Sequence, residues 1–276
     1  MKFRYLGTAA AEGIPAIFCD CELCRQARAL GGKDIRHRSG AFLNGNLLID
    51  LSPDVYALKL QLDLDLSRVR DVVITHSHSD HFAFSELEMY LPGYAHMRDR
   101  APLTLHGSAE TRAFFEKSEA LVCPGMLEGQ VRFHEVAPFE TFEAAGVTFT
   151  ALPAVHSCEG SFIYLLRQDT VRLLYGNDSG LLRDDVMAYL RTQGPLTHVS
   201  LDATMGTMAD DIYDGHMTLA QNRATREAML AQGIADADTR FICTHFSHNA
   251  VPTHAGLEEL MTPAGFTVAY DGMELL

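Results

Sequence analysis

Short apolar segments rich in Val, Ile, Leu and Phe recur along the chain, and polar turns separate them. Runs of this length and composition are typical of buried β-strands. The Asn44-Gly45 pair between two of these runs is a strong hairpin signal. The pattern predicts strands over 2–6, 41–43, 47–50, 72–75, 103–106, 131–136, 147–152, 162–166, 171–175, 198–201, 241–244 and 266–270.

Helical periodicity fills several of the intervals between these strands. Ser108 is a suitable N-cap for one helix, and Thr218 with Gln221 resembles a capping box at the start of another. We predict helices over 22–30, 108–121, 181–192, 218–232 and 257–261. Because hairpins come early and helices are inserted irregularly, the order differs from the alternation of a doubly wound fold. It predicts one layered α+β or mixed α/β domain over residues 1–276.

Composition and charge argue against several classes of protein. Hydrophobic residues make up 47% of the 276, enough for a sizeable core, and no apolar run approaches the ~20 residues of a membrane span. The N-terminal stretch is too polar for a signal peptide, so we expect a cytoplasmic protein. The net charge of −14 argues against binding to nucleic acid or to an anionic membrane.

The segment 72–82 holds the strongest chemical signal. It places an H-x-H-x-D-H pattern, His76, His78, Asp80 and His81, directly after a predicted strand. Three imidazoles and a carboxylate would be costly to bury without a partner. Around Zn²⁺, Mn²⁺ or Fe²⁺ they are suitable ligands. A polar surface turn is the alternative, and the complete pattern favours metal.

This pattern resembles the signature of the metallo-β-lactamase superfamily. The resemblance implies a four-layer αββα sandwich with two divalent metal ions at its edge. It also implies that His76 and His78 bind one metal, and that Asp80 and His81 bind the other. Three further residues fit the superfamily's ligand order, each at or just beyond the end of a predicted strand: His156, Asp178, which would bridge both metals, and His245.

Two adjacent divalent cations suit hydrolysis. They can lower the pKa of a shared water toward ~7 and clamp a phosphoryl or carbonyl oxygen. With Asp80, Asp178 and a bridging hydroxide, the net charge of such a centre would be +1. The pocket could therefore attract a small anionic substrate although the whole chain is acidic.

A second cluster, Cys19, Cys21 and Cys24, forms a C-x-C-x₂-C pattern. Three close thiolates suit a structural zinc, which takes four ligands, although free thiols on a loop are the alternative. Together with Gly7-Thr8 and the late T-H-x-S-H motif, this loop resembles the PhnP-type phosphodiesterases of the tRNase-Z-like branch. That resemblance implies a structural zinc site over 19–24, completed by His248.

Further residues are assigned from their position in the chain. His216 matches a histidine that faces the leaving group or the phosphate in phosphodiesterases of this branch, and the sequence leaves open whether it donates a proton or only binds. We assign His216 and Asp80 as the catalytic residues. Asp50 and Asp202 end predicted strands and can orient ligand histidines. Cys123, Cys158 and Cys243 are expected to be buried.

We therefore expect a binuclear metal-dependent hydrolase of a small, possibly cyclic, phosphodiester. A thioester or lactone hydrolase, a PqqB-like protein and a non-catalytic metal-binding protein are the alternatives. PqqB-type proteins carry a similar cysteine loop but tend to lack the complete histidine pattern. No basic, Gly-rich arm for tRNA is visible. Related proteins suggest a homodimer.

Overall fold

The computed structural model describes residues 1–275. The fold is built on two β-sheets. The first sheet contains, in spatial order, β1 (Phe3–Gly7), β2 (Gly40–Leu43), β3 (Leu47–Ile49), β4 (Asp71–Val73), β5 (Leu103–Gly107) and β6 (Val131–Glu135). The second contains, also in spatial order, β7 (Thr141–Ala144), β8 (Val147–Pro153), β9 (Phe162–Gln168), β10 (Val171–Gly176), β11 (His198–Asp202), β12 (Arg240–Thr244) and β13 (Phe266–Val268).

Helices lie between the strands in sequence. They are α1 (Glu22–Leu30), α2 (Val55–Gln61), α3 (Ala109–Val122), α4 (Asp184–Thr192), α5 (Leu219–Ala231) and α6 (His254–Met261), with 3₁₀ segments at Gly32–Asp34, Leu66–Arg68, Phe84–Tyr90 and Thr262–Ala264. The predicted caps are present. Ser108 Oγ accepts from the Thr111 N–H, and Thr218 forms a complete capping box with Gln221.

Three apolar clusters define the layers. Large side chains of both sheets, including Phe3, Tyr5, Phe149 and Tyr164, pack between them. Residues of α2, α3 and the Phe84–Tyr90 segment cover the outer face of the first sheet. Residues of α1, α4, α5 and α6 cover the outer face of the second. This arrangement confirms the expected four-layer αββα sandwich.

The structure differs from the sequence prediction at a few elements. Strand β7 and helix α2 were not predicted, and α6 begins at His254 rather than at residue 257 because Thr253 caps its N-terminus. Strand β13 ends two residues earlier than expected. Within residues 1–275 no helix is long and apolar enough to cross a bilayer.

Strand direction brings the predicted ligands to one edge. Strands β3 to β6 run parallel, as do β10 to β13, so each set of C-terminal ends lies on one side. Contacts between the two sheets join them at this edge. The Phe162 N–H donates to the Thr75 carbonyl at 2.9 Å, and the Tyr164 hydroxyl donates to the Ile74 carbonyl at 2.8 Å. His76 directly follows these residues.

Candidate metal centres

Sharp turns at the strand ends set the direction of three site residues. Asp50 follows β3, Asp178 follows β10 and His245 follows β12, and their φ angles are +63°, +53° and +62°. Residues other than glycine rarely adopt this left-handed conformation, which costs of order 1–3 kcal/mol. The surrounding fold therefore holds these three residues in strained positions at the candidate site.

The first group of predicted ligands is His76, His78 and His156. His78 Nδ1 lies 3.0 Å from His76 Nε2 and 3.2 Å from His156 Nε2. The three ring nitrogens thus converge on one small volume, within 4.8 Å of one another. A cation bound by all three lone pairs suits such an arrangement.

The second group is Asp80, His81 and His245, with Asp178 beside it. His81 Nε2 lies 3.1 Å from Asp80 Oδ2 and 2.8 Å from Asp178 Oδ2, and His245 Nε2 lies 3.0 Å from the same Asp178 oxygen. His81 Nε2, His245 Nε2 and Asp178 Oδ2 are buried without a hydrogen bond to the described residues. Buried polar atoms are normally satisfied, so the donor set fits a metal ion.

Asp178 lies between the two groups. It clusters with His76 and His81 and also with His245. Burial favours the neutral acid, but His245 and His81 hold the pKa of Asp178 well below its usual range. The side chain is therefore a buried carboxylate next to both groups, where a bridging ligand would have to lie.

Partners outside the two groups fix the orientation of the histidines. Nδ1 of His81 donates to Asp50 at 2.7 Å, and Nδ1 of His156 to the Gly215 carbonyl at 3.2 Å. His76 Nδ1 contacts the Thr75 hydroxyl at 3.0 Å, and His245 Nδ1 contacts the Thr204 hydroxyl at 2.7 Å. Each contact leaves Nε2 facing inward, as in metal sites.

The sequence predicted that Asp50 and Asp202 orient histidines of the site. In the structure Asp50 contacts Nδ1 of His81, and Asp202 contacts Nδ1 of His216. Sequence reasoning missed Thr75, Thr204 and the Gly215 carbonyl. Thr75 directly precedes His76, which is a weak local signal, and its hydroxyl also donates to Asp50 at 3.0 Å. Nothing in the sequence around Thr204 or Gly215 indicates such a contact, because each partner is distant along the chain.

His216 lies at the rim of the cluster. Its ring centroid is 4.9 Å from that of His156 and 5.6 Å from that of His245. Nδ1 donates to Asp202 Oδ2 at 2.8 Å, which leaves Nε2 available to a ligand. Burial opposes the charged ring, but Asp202 outweighs it and raises the pKa of His216 to about 9. Asp202 therefore favours the protonated form of the ring.

The four predicted ligands of the structural zinc also lie close together in the structure. Cys19, Cys21, Cys24 and His248 offer ligand atoms within 4.8 Å of one another, and His248 Nδ1 lies 3.5 Å from the sulfurs of both Cys19 and Cys21. Backbone N–H groups of Cys21, Cys24 and Ala16 point at the sulfurs of Cys19, Cys21 and Cys24, at 3.4–3.5 Å.

These contacts favour the thiolate at Cys21, whereas burial raises the pKa of Cys24 to about 11. The Cys24 backbone N–H, followed by His248, lowers the pKa of Cys21 to about 6. Three thiolates and an imidazole at this spacing fit a closed zinc site. Elsewhere Cys123 and Cys243 are buried as expected, whereas Cys158 is half-buried beside Ser77. The metal-ligand assignments at both centres stay predictions.

Comparison with known proteins identifies the family of this chain. The family model for the β-lactamase superfamily domain matches residues 45–246, a span that contains all seven predicted ligands of the catalytic pair. The chain belongs to the β-lactamase superfamily. Its fold is that of the superfamily's metal-dependent hydrolases, which confirms the resemblance found in the sequence.

Individual relatives of the chain come from more than one branch. It is 28% identical over 158 residues to coenzyme PQQ synthesis protein B of Bradyrhizobium diazoefficiens, a match that covers 52% of this chain and 47% of the relative. The chain therefore matches about half the length of that curated protein.

Solved structures cover the whole chain. A diphosphatase of the PhnP family superposes with a TM-score of 0.76 at 24% identity, covering 100% of this chain and 97% of the other. Zinc-bound PqqB from Methylobacterium extorquens superposes with a TM-score of 0.74 at 19% identity, covering all of both chains. At these identities the likeness establishes the fold.

Proposed function

We propose that this protein is a binuclear metal-dependent phosphodiesterase acting on a small anionic phosphodiester. The observation that carries the proposal is the position of His216. The ring lies beside both groups of predicted ligands, and its hydrogen bond to Asp202 favours the protonated form. A proton donor at the rim of a two-metal site serves a reaction with a poor leaving group.

The residues have distinct roles in this proposal. His76, His78 and His156 would hold one metal ion, Asp80, His81 and His245 the other, and Asp178 both; Mn²⁺, Zn²⁺ and Fe²⁺ suit these ligands. When bound, such ions activate water and polarise a phosphoryl oxygen. His216 Nε2 would give its proton to the departing alkoxide oxygen as the P–O bond breaks.

A neighbouring cavity has room for a small substrate. It has a volume of about 450 Å³ and opens beside His156, in the range of small-molecule sites. Arg183 and His156 contribute cationic or hydrogen-bonding groups to its wall, and Glu110, Glu135 and Glu159 contribute carboxylates. The cavity volume therefore suits a small substrate, and Arg183 is the cationic residue of its wall.

The test compares two leaving groups in a purified, metal-analysed enzyme. We expect hydrolysis of bis-p-nitrophenyl phosphate and of an alkyl phosphodiester. His216→Ala should slow the alkyl ester by about 10²–10⁴-fold because alkoxide needs a proton. The p-nitrophenyl ester should lose much less, because its leaving group needs little protonation.

The exposed His96 provides a matched control, and His96→Ala should leave both rates and the metal content unchanged. Equal losses on both esters in His216→Ala would show that His216 binds the phosphate without donating a proton. Absence of phosphodiester hydrolysis in the wild-type enzyme, with two metals bound per chain, would contradict the proposal.

A PqqB-like function is the second candidate, favoured by the 28% identity to coenzyme PQQ synthesis protein B. The two candidates share the cysteine loop, so zinc content cannot distinguish them. Phosphodiester turnover that depends on His216 supports the first. A protein that binds metal but hydrolyses none of the phosphodiesters or acyl esters in a panel would support the second.

A further inference from the structure

The loop between β11 and α5 places an aromatic ring next to His216. The Tyr213 ring centroid lies 5.6 Å from that of His216, with an angle of 46° between the two planes. Tyr213 is 37% exposed, whereas the side chain of His216 is only 15% exposed. Tyr213 therefore forms an accessible wall on the solvent side of the proposed proton donor.

Gly215 determines where this ring lies. A Cβ atom added at Gly215 would come within 2.5 Å of the Tyr213 hydroxyl oxygen and within 2.7 Å of two ring carbons. The ring thus lies directly on the glycine backbone and is folded toward His216. The Gly215 carbonyl also accepts from His156 Nδ1, so one glycine supports both a predicted ligand and the aromatic wall.

A second glycine anchors the loop to the catalytic cluster. A Cβ atom at Gly180 would lie 1.7 Å from the Asp214 carbonyl oxygen, so the two backbones are in direct contact. The Gly180 N–H donates to the Val155 carbonyl at 2.9 Å, which ties this point to the segment that carries His156. Tyr213 is therefore held in a fixed position relative to Asp178 and His156.

We propose that Tyr213 is a specificity-determining residue whose ring binds a planar aromatic group on the leaving side of the phosphodiester. This inference rests on the proposed phosphodiesterase function. A substrate group next to His216 can reach the exposed Tyr213 ring, because the two ring centroids are 5.6 Å apart. Aromatic rings prefer to pack on one another in stacked or edge-on arrangements. The preferred substrates are thus phosphodiesters of ring-bearing alcohols.

The test uses two probes of similar size, dibenzyl phosphate and bis(cyclohexylmethyl) phosphate. Both are symmetric, so either ester group can lie next to His216, and they differ in whether the ring is aromatic. Each is measured as a competitor of bis-p-nitrophenyl phosphate hydrolysis. The wild-type enzyme should bind the dibenzyl ester about three- to tenfold more tightly.

Tyr213→Leu should abolish this preference, and Tyr213→Phe should keep it because the ring remains. Tyr94→Leu is the matched control, since Tyr94 is 61% exposed and is not among the residues of the site, and it should change neither constant. The Phe variant also keeps the test valid if the Leu variant folds poorly.

Three outcomes would overturn the inference while leaving the phosphodiesterase intact. They are equal binding of both probes by the wild-type enzyme, an unchanged preference in Tyr213→Leu, and loss of the preference in Tyr213→Phe. Failure of the wild-type enzyme to hydrolyse bis-p-nitrophenyl phosphate would instead contradict the proposed function, and this inference with it.

Discussion

The two candidate metal centres are built in opposite ways. In the cysteine centre, three of four ligands lie within six residues, and backbone N–H groups of the same loop support their sulfurs. In the catalytic centre the ligands come from four strand ends, and partners from distant segments orient their rings. A local motif thus specifies one centre, whereas packing of two sheets assembles the other.

One short segment nevertheless joins the two centres. His245 belongs to the catalytic cluster and His248 to the cysteine cluster, three residues apart. Phe246 between them is fully buried, its N–H donates to Thr8, and the Arg36 guanidinium lies 4.5 Å from its ring centroid. Because this anchor involves neither cluster, we expect each centre to tolerate disturbance of the other.

Asp178→Asn should have the largest effect on the catalytic centre. The amide removes a buried negative charge from a position next to both groups of ligands. Metal affinity and hydrolysis should fall together by more than ~100-fold, the upper range for partners outside the ligand set. Elemental analysis and phosphodiester turnover measure the two effects.

Asp169→Asn is the matched control, because Asp169 also has a positive φ, of +54°, but is exposed. It should leave metal content and turnover unchanged. Full activity in Asp178→Asn with both metals retained would remove Asp178 from the proposed centre.

Asp50→Asn should have the next largest effect. Asp50 accepts from His81 Nδ1 at 2.7 Å, so the substitution weakens the orientation of a predicted ligand without removing it. Metal affinity should decrease by about 10–100-fold, as measured by competition with a chelator. Asp63→Asn, an exposed site with a φ of +51°, should show no change. Unchanged affinity in both variants would mean that His81 does not depend on Asp50.

The pH profile should depend on Asp202. His216 acts as an acid only when protonated, and its pKa of about 9 means that activity is retained at neutral pH and lost as the pH rises through about 9. Asp202→Asn removes the carboxylate that stabilises the proton. The alkaline midpoint should then move down toward the ordinary value of ~6.5, with roughly 30-fold lower activity at pH 8.

Asp211→Asn, at an exposed position in the same loop, should keep the wild-type profile. An alkaline midpoint that does not move in Asp202→Asn would show that the loss of activity at high pH reports the titration of another group. The measurement is kcat against pH on an alkyl phosphodiester, where protonation of the leaving group matters most.

Cys21→Ser should have the smallest effect on turnover and a clear effect on stability. Loss of one thiolate weakens a structural zinc site, and such sites contribute directly to folding. The melting temperature should fall by about 5–10 °C, which corresponds to a few kcal/mol in a chain of this size. Turnover at low temperature should stay within about twofold, because Phe246 remains anchored.

Asp20→Ser, in the same loop with a side chain 79% exposed, controls for the position. Unchanged zinc content and melting temperature in Cys21→Ser would assign the cysteines as free thiols. A parallel collapse of turnover at low temperature would instead show that the two centres are coupled through the segment from His245 to His248.

Much of the fold was predictable because its strands are unusually apolar. Strand β9 begins with five consecutive buried apolar residues and β10 contains three, and local patterns also identified the caps at Ser108 and Thr218. Strand β7 was missed because alternate residues are exposed and only Phe142 and Ala144 are buried. Helix α2 was missed because Val55 and Leu58 are its only buried residues and it is seven residues long.

The sequence by itself determined the ligand types and their order along the chain. Three histidines and an aspartate within six residues, and three cysteines within six more, are local patterns with a chemical meaning that does not depend on distant contacts. For the same reason the sequence indicated the superfamily, which the match over residues 45–246 confirms.

Tertiary structure alone decided which groups form hydrogen bonds with those ligands and which side chains lie next to them. Thr75 is next to His76 in the chain, but Thr204 reaches His245 across 41 residues, and Gly215 reaches His156 across 59. Tyr213 faces His216 only because Gly180 and Gly215 lack side chains where the backbone and the ring approach. Such contacts depend on the packing of two sheets and their loops, and hydrophobic periodicity carries no information about them.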